Sequence, residues 1–164
     1  MKLLRRDGDE FEFEFAPVEK GLLFHLLGLY PAVPAAHHQL TKGRKIPSQA
    51  ENQELLNEAV KSHRAENQRA VLALLNDAGR FTGGKEGARA VFQRGEVEWL
   101  LQVLNDVRVG HWIAAGSPNL QQEQKLQHDK QALRKVMLME LAGGFEMLFL
   151  GAVSGTLQPE ADEP

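Results

Sequence analysis

Residues 6–17, Arg6-Asp7-Gly8-Asp9-Glu10-Phe11-Glu12-Phe13-Glu14-Phe15-Ala16-Pro17, decide the fold. Asp7-Gly8-Asp9 is a tight-turn signal, and the run after it alternates acid and phenylalanine with the period of a strand. With Lys2–Arg6 before the turn, the stretch predicts a β-hairpin over residues 1–15. Phe11, Phe13 and Phe15 then share one face. Two strands alone are marginal in water, so that face must be laid on something else.

The chain beyond the hairpin supplies helices. Pro17 suits a first helical turn, where its missing N–H costs nothing, and Val18–Tyr30 stays largely apolar until Pro31 stops it. Residues 31–47, with prolines at 31, 34 and 47 and the basic cluster Lys42, Arg44 and Lys45, read as a connector. Ser48 followed by Glu51 is a capping-box pattern. It opens a long amphipathic helix to Ala78, with Leu56, Ala59, Val60, Ala70, Val71 and Leu74 on the core side. Glycine-rich residues 80–95 follow, of which Ala88–Gln93 can add a third short strand to the hairpin. Glu96–Ala115 is predicted as a helix carrying Val97, Leu100, Leu101, Leu104, Val107 and Trp112, and Asn119–Gly151 as the last one. The sequence therefore predicts a mainly α (α+β) fold: a bundle of four principal helices carrying a small N-terminal hairpin. Residues 1–157 form one domain, hairpin over 1–15 and helical over 17–155, and 158–164 are an acidic tail.

Composition narrows the function classes. The 164 residues suit one domain. Absence of cysteine excludes disulfides, thiol catalysis, Fe–S clusters and cysteine-based zinc sites. Lys+Arg 19 against Asp+Glu 22 gives a net charge of −3 and no field to gather nucleic acid. Met1–Glu10 lacks the apolar core of an export signal, which predicts a cytoplasmic protein. Val136–Val153 approaches the length of a membrane span but carries Glu140 and Glu146, and is read as a helix buried in protein. Gly144, Gly151 and Gly155 share a side of it with Glu140, where another backbone can approach closely. Such a helix is either central to the bundle or faces a second copy in a homodimer.

No local pattern assigns catalysis. Gly79, Gly84 and Lys85 imitate a phosphate loop, but Glu86 stands where a hydroxyl is needed and no strand precedes. His25, His37, His38, His63, His111 and His128 show no metal-ligand spacing. No serine sits in a nucleophile elbow. No metal or other cofactor is expected. The sharper signal is polarity on apolar helix faces. On a helical wheel Arg108 falls within about 40° of Leu104, and His111 within about 20°. His63 and Asn67 lie on the face of Val60 and Leu74. A buried guanidinium needs a carboxylate, for which Glu140 and Glu146 are the candidates. Arg108, His111, His63, Asn67, Glu140 and Glu146 thus form a candidate internal polar cluster, a structural ion-pair network or a ligand pocket. Trp99, Val103 and Ile113, off the core face of the wheel, form a candidate interaction surface.

The hairpin with the following FAPVEKGLLFHLL, and the segment Glu96–Val109 with Trp99, Leu100, Leu104, Asn105, Asp106 and Arg108, resemble a family of small bacterial proteins known only as a domain of unknown function. The likeness covers most of the chain, is specific in the second segment, and departs from the family over residues 113–132. It implies a bacterial, cytoplasmic protein and supplies no activity or catalytic residue. The expectation is a non-enzymatic protein–protein interaction or regulatory protein, a homodimer or the partner of another protein, binding neither nucleic acid nor membrane. The alternative is a small-ligand or metal-binding enzyme using the internal cluster.

Overall fold

The structure is a computed structural model that describes residues 1–37, 48–83, 87–119, 122 and 129–159. The hairpin forms as the alternation requires, with β1 (Lys2–Asp7) antiparallel to β2 (Glu10–Phe15) and Asp7 opposite Glu10 across the turn. Gly8 takes φ 57°, a left-handed value that a two-residue hairpin loop needs and a side chain resists. Helix α1 is Pro17–Gly28, α2 Gln49–Asn76, α3 Arg94–Ala114 and α4 Lys130–Ser154. Ala88–Gln93 is the expected further strand; counting the two-residue β3 (Thr82–Gly83) before it, it is β4. The sheet order is β1-β2-β4-β3, all antiparallel. The fold is mainly α with a small β part.

The two faces of the sheet follow from period two. Phe11, Phe13 and Phe15 are fully buried together with Leu3, Ala90 and Phe92. Phe13 meets the edge of Phe149 from α4 with ring centres 5.2 Å apart, and Phe15 meets Phe81 at 5.6 Å. On the opposite face the acids of β2 find cations. Arg5 reaches Glu10 at 2.6 Å and Arg89 reaches Glu14 at 3.1 Å. α1 adds Leu23, Leu26 and Leu27 to the core, and α3 adds Val97, Leu100, Val103, Leu104 and Val107. α3 packs along α4 and also meets α1 and β4.

Several expectations are corrected. Ser48 lies in the left-handed region at φ 59° and its side chain caps nothing, so the capping-box reading fails there. A capping box does open α3, where Glu96 accepts the Gln93 N–H at 2.8 Å. Among the described side chains of α2 only Asn67 and Val71 are buried, with Leu74 and Leu75 partly covered, while Ala59 and Ala70 are exposed. A wheel gives the direction of an apolar face, not whether anything stands opposite it, and α2 at about 42 Å is long for a domain of this size. Val103 is in the core, because α3 is covered on more than one side, and Trp112 is partly exposed. The last helix starts at Lys130, capped by Asp129, whose Oδ1 accepts the Gln131 N–H at 2.8 Å. Lys42, Arg44, Lys45, Gly84, Lys85, Glu86, His38, His128 and most of the acidic tail lie outside the described residues.

One glycine is fixed by packing. A Cβ on Gly110 of α3 would stand 2.4 Å from the backbone of Ala32, so α3 and the chain after α1 can meet only without a side chain there. Gly110→Ala is therefore expected to destabilise the protein by about 1–3 kcal/mol in urea unfolding, although alanine is the better helix former by about 1 kcal/mol. Gly95→Ala, where the added Cβ meets nothing within 4 Å, is the control and should be neutral or stabilising. Equal stability of the two variants would contradict the close approach.

Candidate functional site

The six polar residues expected as one cluster occupy separate places. Asn67 is the buried one. Its Nδ2 donates to the Tyr30 hydroxyl at 3.2 Å and contacts His63 Nε2 at 3.3 Å, while its Oδ1 accepts the Trp99 indole N–H at 3.1 Å. All three polar positions of the amide are thus used, joining the end of α1, the middle of α2 and the start of α3. Burial pushes the Tyr30 hydroxyl above its ordinary pKa, and the bond from Asn67 opposes that. His63 itself is exposed on the rim. One turn earlier on α2, Arg64 donates to the Val33 carbonyl at 2.7 Å and lies 3.7 Å from Asp106. The same Asp106 accepts the Ala32 N–H at 2.6 Å and the Val33 N–H at 3.1 Å.

Arg108 is not a core residue. Its side chain is 44% exposed, runs over Gly143, and puts Nε 2.7 Å from Glu146 Oε2 on α4. Nη2 donates to Asn105 at 2.9 Å. The wheel placed the Cα correctly but not the guanidinium, which a long stem carries out toward water. Glu146, one of the two expected partners, is the one it meets; Glu140 is exposed and takes no part. Glu146 is only 17% exposed. Burial raises its pKa, opposed by the charge and hydrogen bond of Arg108. His111 has Nδ1 2.8 Å from the carbonyl of Val107, one turn back on its own helix.

The expected interaction surface dissolves as well. Trp99 is half-buried and held by Asn67, Val103 is buried, and Ile113 is half-buried. Apart from Trp112 (38%) on α3, the exposed large apolar side chains stand elsewhere: Met137 (53%), Met147 (70%) and Leu150 (57%) on α4, Leu55 and Leu72 on α2, and Val18 on α1. α4 is therefore not central. Ala142, Phe145, Phe149 and Ala152 face the core and Ala132 and Val136 are buried near the helix start, while Met137, Met147 and Leu150 look outward. By length and composition it could cross a membrane, but a third of its most apolar window is buried inside the fold.

One concavity unforeseen in the sequence lies where the end of α2 meets the start of α3. It holds about 390 Å³ between Leu74, Asp77, Arg80, Phe92, Glu96 and Trp99. Arg80 sits 4.8 Å over the Phe92 ring and reaches Glu96 at 2.5 Å, and its Nε is buried with no hydrogen-bond partner. The pair joins a cation at the carbonyl end of one helix to an acid at the N–H end of the next, a favourable match to both dipoles. Among the described residues no group of three or more acids and histidines is placed to hold a metal ion. The chain matches no family model, no curated protein and no solved structure.

A carboxyl whose folded pKa exceeds its unfolded value contributes stability that is complete below the unfolded pKa and is lost as pH rises through the folded one. Glu146 should therefore weaken the fold at neutral pH relative to acid, and Arg108 limits that loss. Arg108→Ala is expected to lower stability at pH 7 by about 0.5–1 kcal/mol, a partly screened pair, with the gap closing toward about pH 4. Adding Glu146→Gln should remove most of the defect. A deficit independent of pH in thermal melts would show that Arg108 acts through packing alone.

Proposed function

We propose that the chain is a non-enzymatic cytoplasmic interaction protein whose docking face is the outward side of α4, and that it belongs with the small bacterial proteins its Trp99–Arg108 segment resembles. The observation that carries this reading is the open apolar stripe of Met137, Met147 and Leu150 on a helix whose other side closes the core. Exposed methionine is adaptable, polarisable surface suited to a protein partner. The polar residues that suggested a pocket support the same reading by their employment. Asn67 ties α2 to Tyr30 and to Trp99 of α3, and Arg108 with Glu146 ties α3 to α4. Those three side chains are spent on joining helices.

Methionine oxidation tests the reading where it matters. In intact cells at native expression, or in purified protein concentrated to about 500 μM, Met137 and Met147 should react with peroxide several-fold more slowly than in dilute purified protein, with half-buried Met139 as internal reference. Equal rates in all three settings would mean the face is unoccupied and would remove the basis of the proposal.

A further inference from the structure

We infer that the occupant of the α4 face is a second copy of this chain, lying antiparallel, an inference that rests on the docking-face reading above. Met137, Glu140, Gly144, Met147, Gly151 and Ser154 recur at alternating spacings of three and four, and fall within about 100° of the wheel. They form one seam. In a parallel pair each seam residue would meet itself. Glu140 would face Glu140, and Gly144 would face Gly144 across a void. In an antiparallel pair the three-spaced and four-spaced positions exchange, so that Met147 meets the partner's Gly144 on both sides of the two-fold axis. Met137 then meets Ser154, and Glu140 lies toward the end of the seam at Gly151.

Each large residue in that register faces a small one. The space over Gly144 is open: a Cβ built there meets nothing within 4 Å. Gly151 is partly roofed by its own Leu157, so the approach is closest at Gly144 and looser toward either end of the seam. Charge gives a second and independent match. Arg6 lies against Gly155, at the C-terminal end of the seam, with its guanidinium 5.8 Å from the Phe11 ring. Glu140 stands toward the other end. Neither has an ion-pair partner among the described residues. Reversing the second copy brings each Glu140 toward the other's Arg6 and separates the two Glu140 residues by about 17 Å along the axis, beyond the roughly 8 Å reach of an unscreened charge in physiological salt.

The contact is small. A seam of eighteen residues is about 27 Å long and covers on the order of 300 Å² per copy, well below the roughly 800 Å² of a standard stable interface. A reversible dimer, with Kd on the order of 10–100 μM, is the expected strength.

Absence of cysteine in the native chain makes the register directly readable. In Met147→Cys the two thiols should lie within reach of a disulfide, whereas in Met137→Cys they should be about 26 Å apart along the axis. The expected result under mild oxidation at about 100 μM, near the Kd, is a cross-linked dimer from Met147→Cys and none from Met137→Cys. Cross-linking of both would establish a parallel pair and overturn the assignment. Gly144→Leu should fill the socket, leaving a protein that melts no lower than the wild type yet has a monomer's mass by light scattering. Glu140→Arg should weaken association, and adding Arg6→Glu should restore it. A wild type that stays monomeric at about 500 μM, well above that Kd, or a Gly144→Leu variant that dimerises like it, overturns the proposal. So would monomers that float with phosphatidylglycerol vesicles, assigning the face to lipid. Monomeric purified protein combined with protected methionines in cells would sink the second copy alone; unprotected methionines would sink the docking face with it.

Discussion

The fold depends on covering one face of β2. Phe11, Phe13 and Phe15 are fully buried, and a strand pair cannot achieve that by itself. β4 widens the sheet and brings Phe92, α1 and α3 supply aliphatic side chains, and α4 lays Phe149 against Phe13 and Phe92. The N-terminal hairpin and α4 thus meet in the same cluster of rings. Burying three phenylalanines is worth on the order of 5–9 kcal/mol, comparable with the net stability of a whole domain. The ion pairs of Glu10, Glu12 and Glu14 on the other face contribute little energy at such exposure, but they favour one register over its neighbours.

α2 is attached by a different kind of contact. The hydrogen bonds that tie it to the body come from its second half, where the central groups are Asn67 and Arg64 rather than a row of leucines. A satisfied amide with three partners fixes rotation and translation in a way an apolar stripe does not, because sliding by one residue would leave a buried donor or acceptor unpaired at about 1–3 kcal/mol. Asp106 works similarly, using one carboxylate to hold the backbone at Ala32 and Val33 and to face Arg64. The helix is positioned by directional bonds and leaves Leu55 and Leu72 outside.

What could be read from the sequence follows the same division. Period-two alternation carries its own direction, so the hairpin, its buried face and the added strand at Ala88–Gln93 were all legible. Asn67 was legible as a polar residue on an apolar stripe. Helical wheels were less informative, because they fix where a Cα points and nothing more. Arg108 has the Cα direction of a core residue and a stem long enough to leave it. Val103 is off the best apolar arc yet buried, because α3 has neighbours on several sides. Arg80 gave no signal, being a lone cation at the edge of a glycine-rich stretch whose partner Glu96 belongs to another element.

The glycines of α3 and α4 show where the chain by itself is an incomplete account of its own surface. Gly110 is required by Ala32, whereas a Cβ on Gly143 would make only ordinary contact, 3.5 Å, with the stem of Arg108. Gly144 has no such neighbour, and a glycine in a helix interior costs about 1 kcal/mol against alanine. Open space alone is no argument, since Gly21 of α1 shares it. Position makes the difference. Gly144 sits one turn from Met147, the most exposed of the helix's large apolar residues, on the arc it shares with Met137. An unoccupied socket beside an uncovered knob is two separate costs for a monomer, and atoms of one neighbouring molecule would relieve both at once.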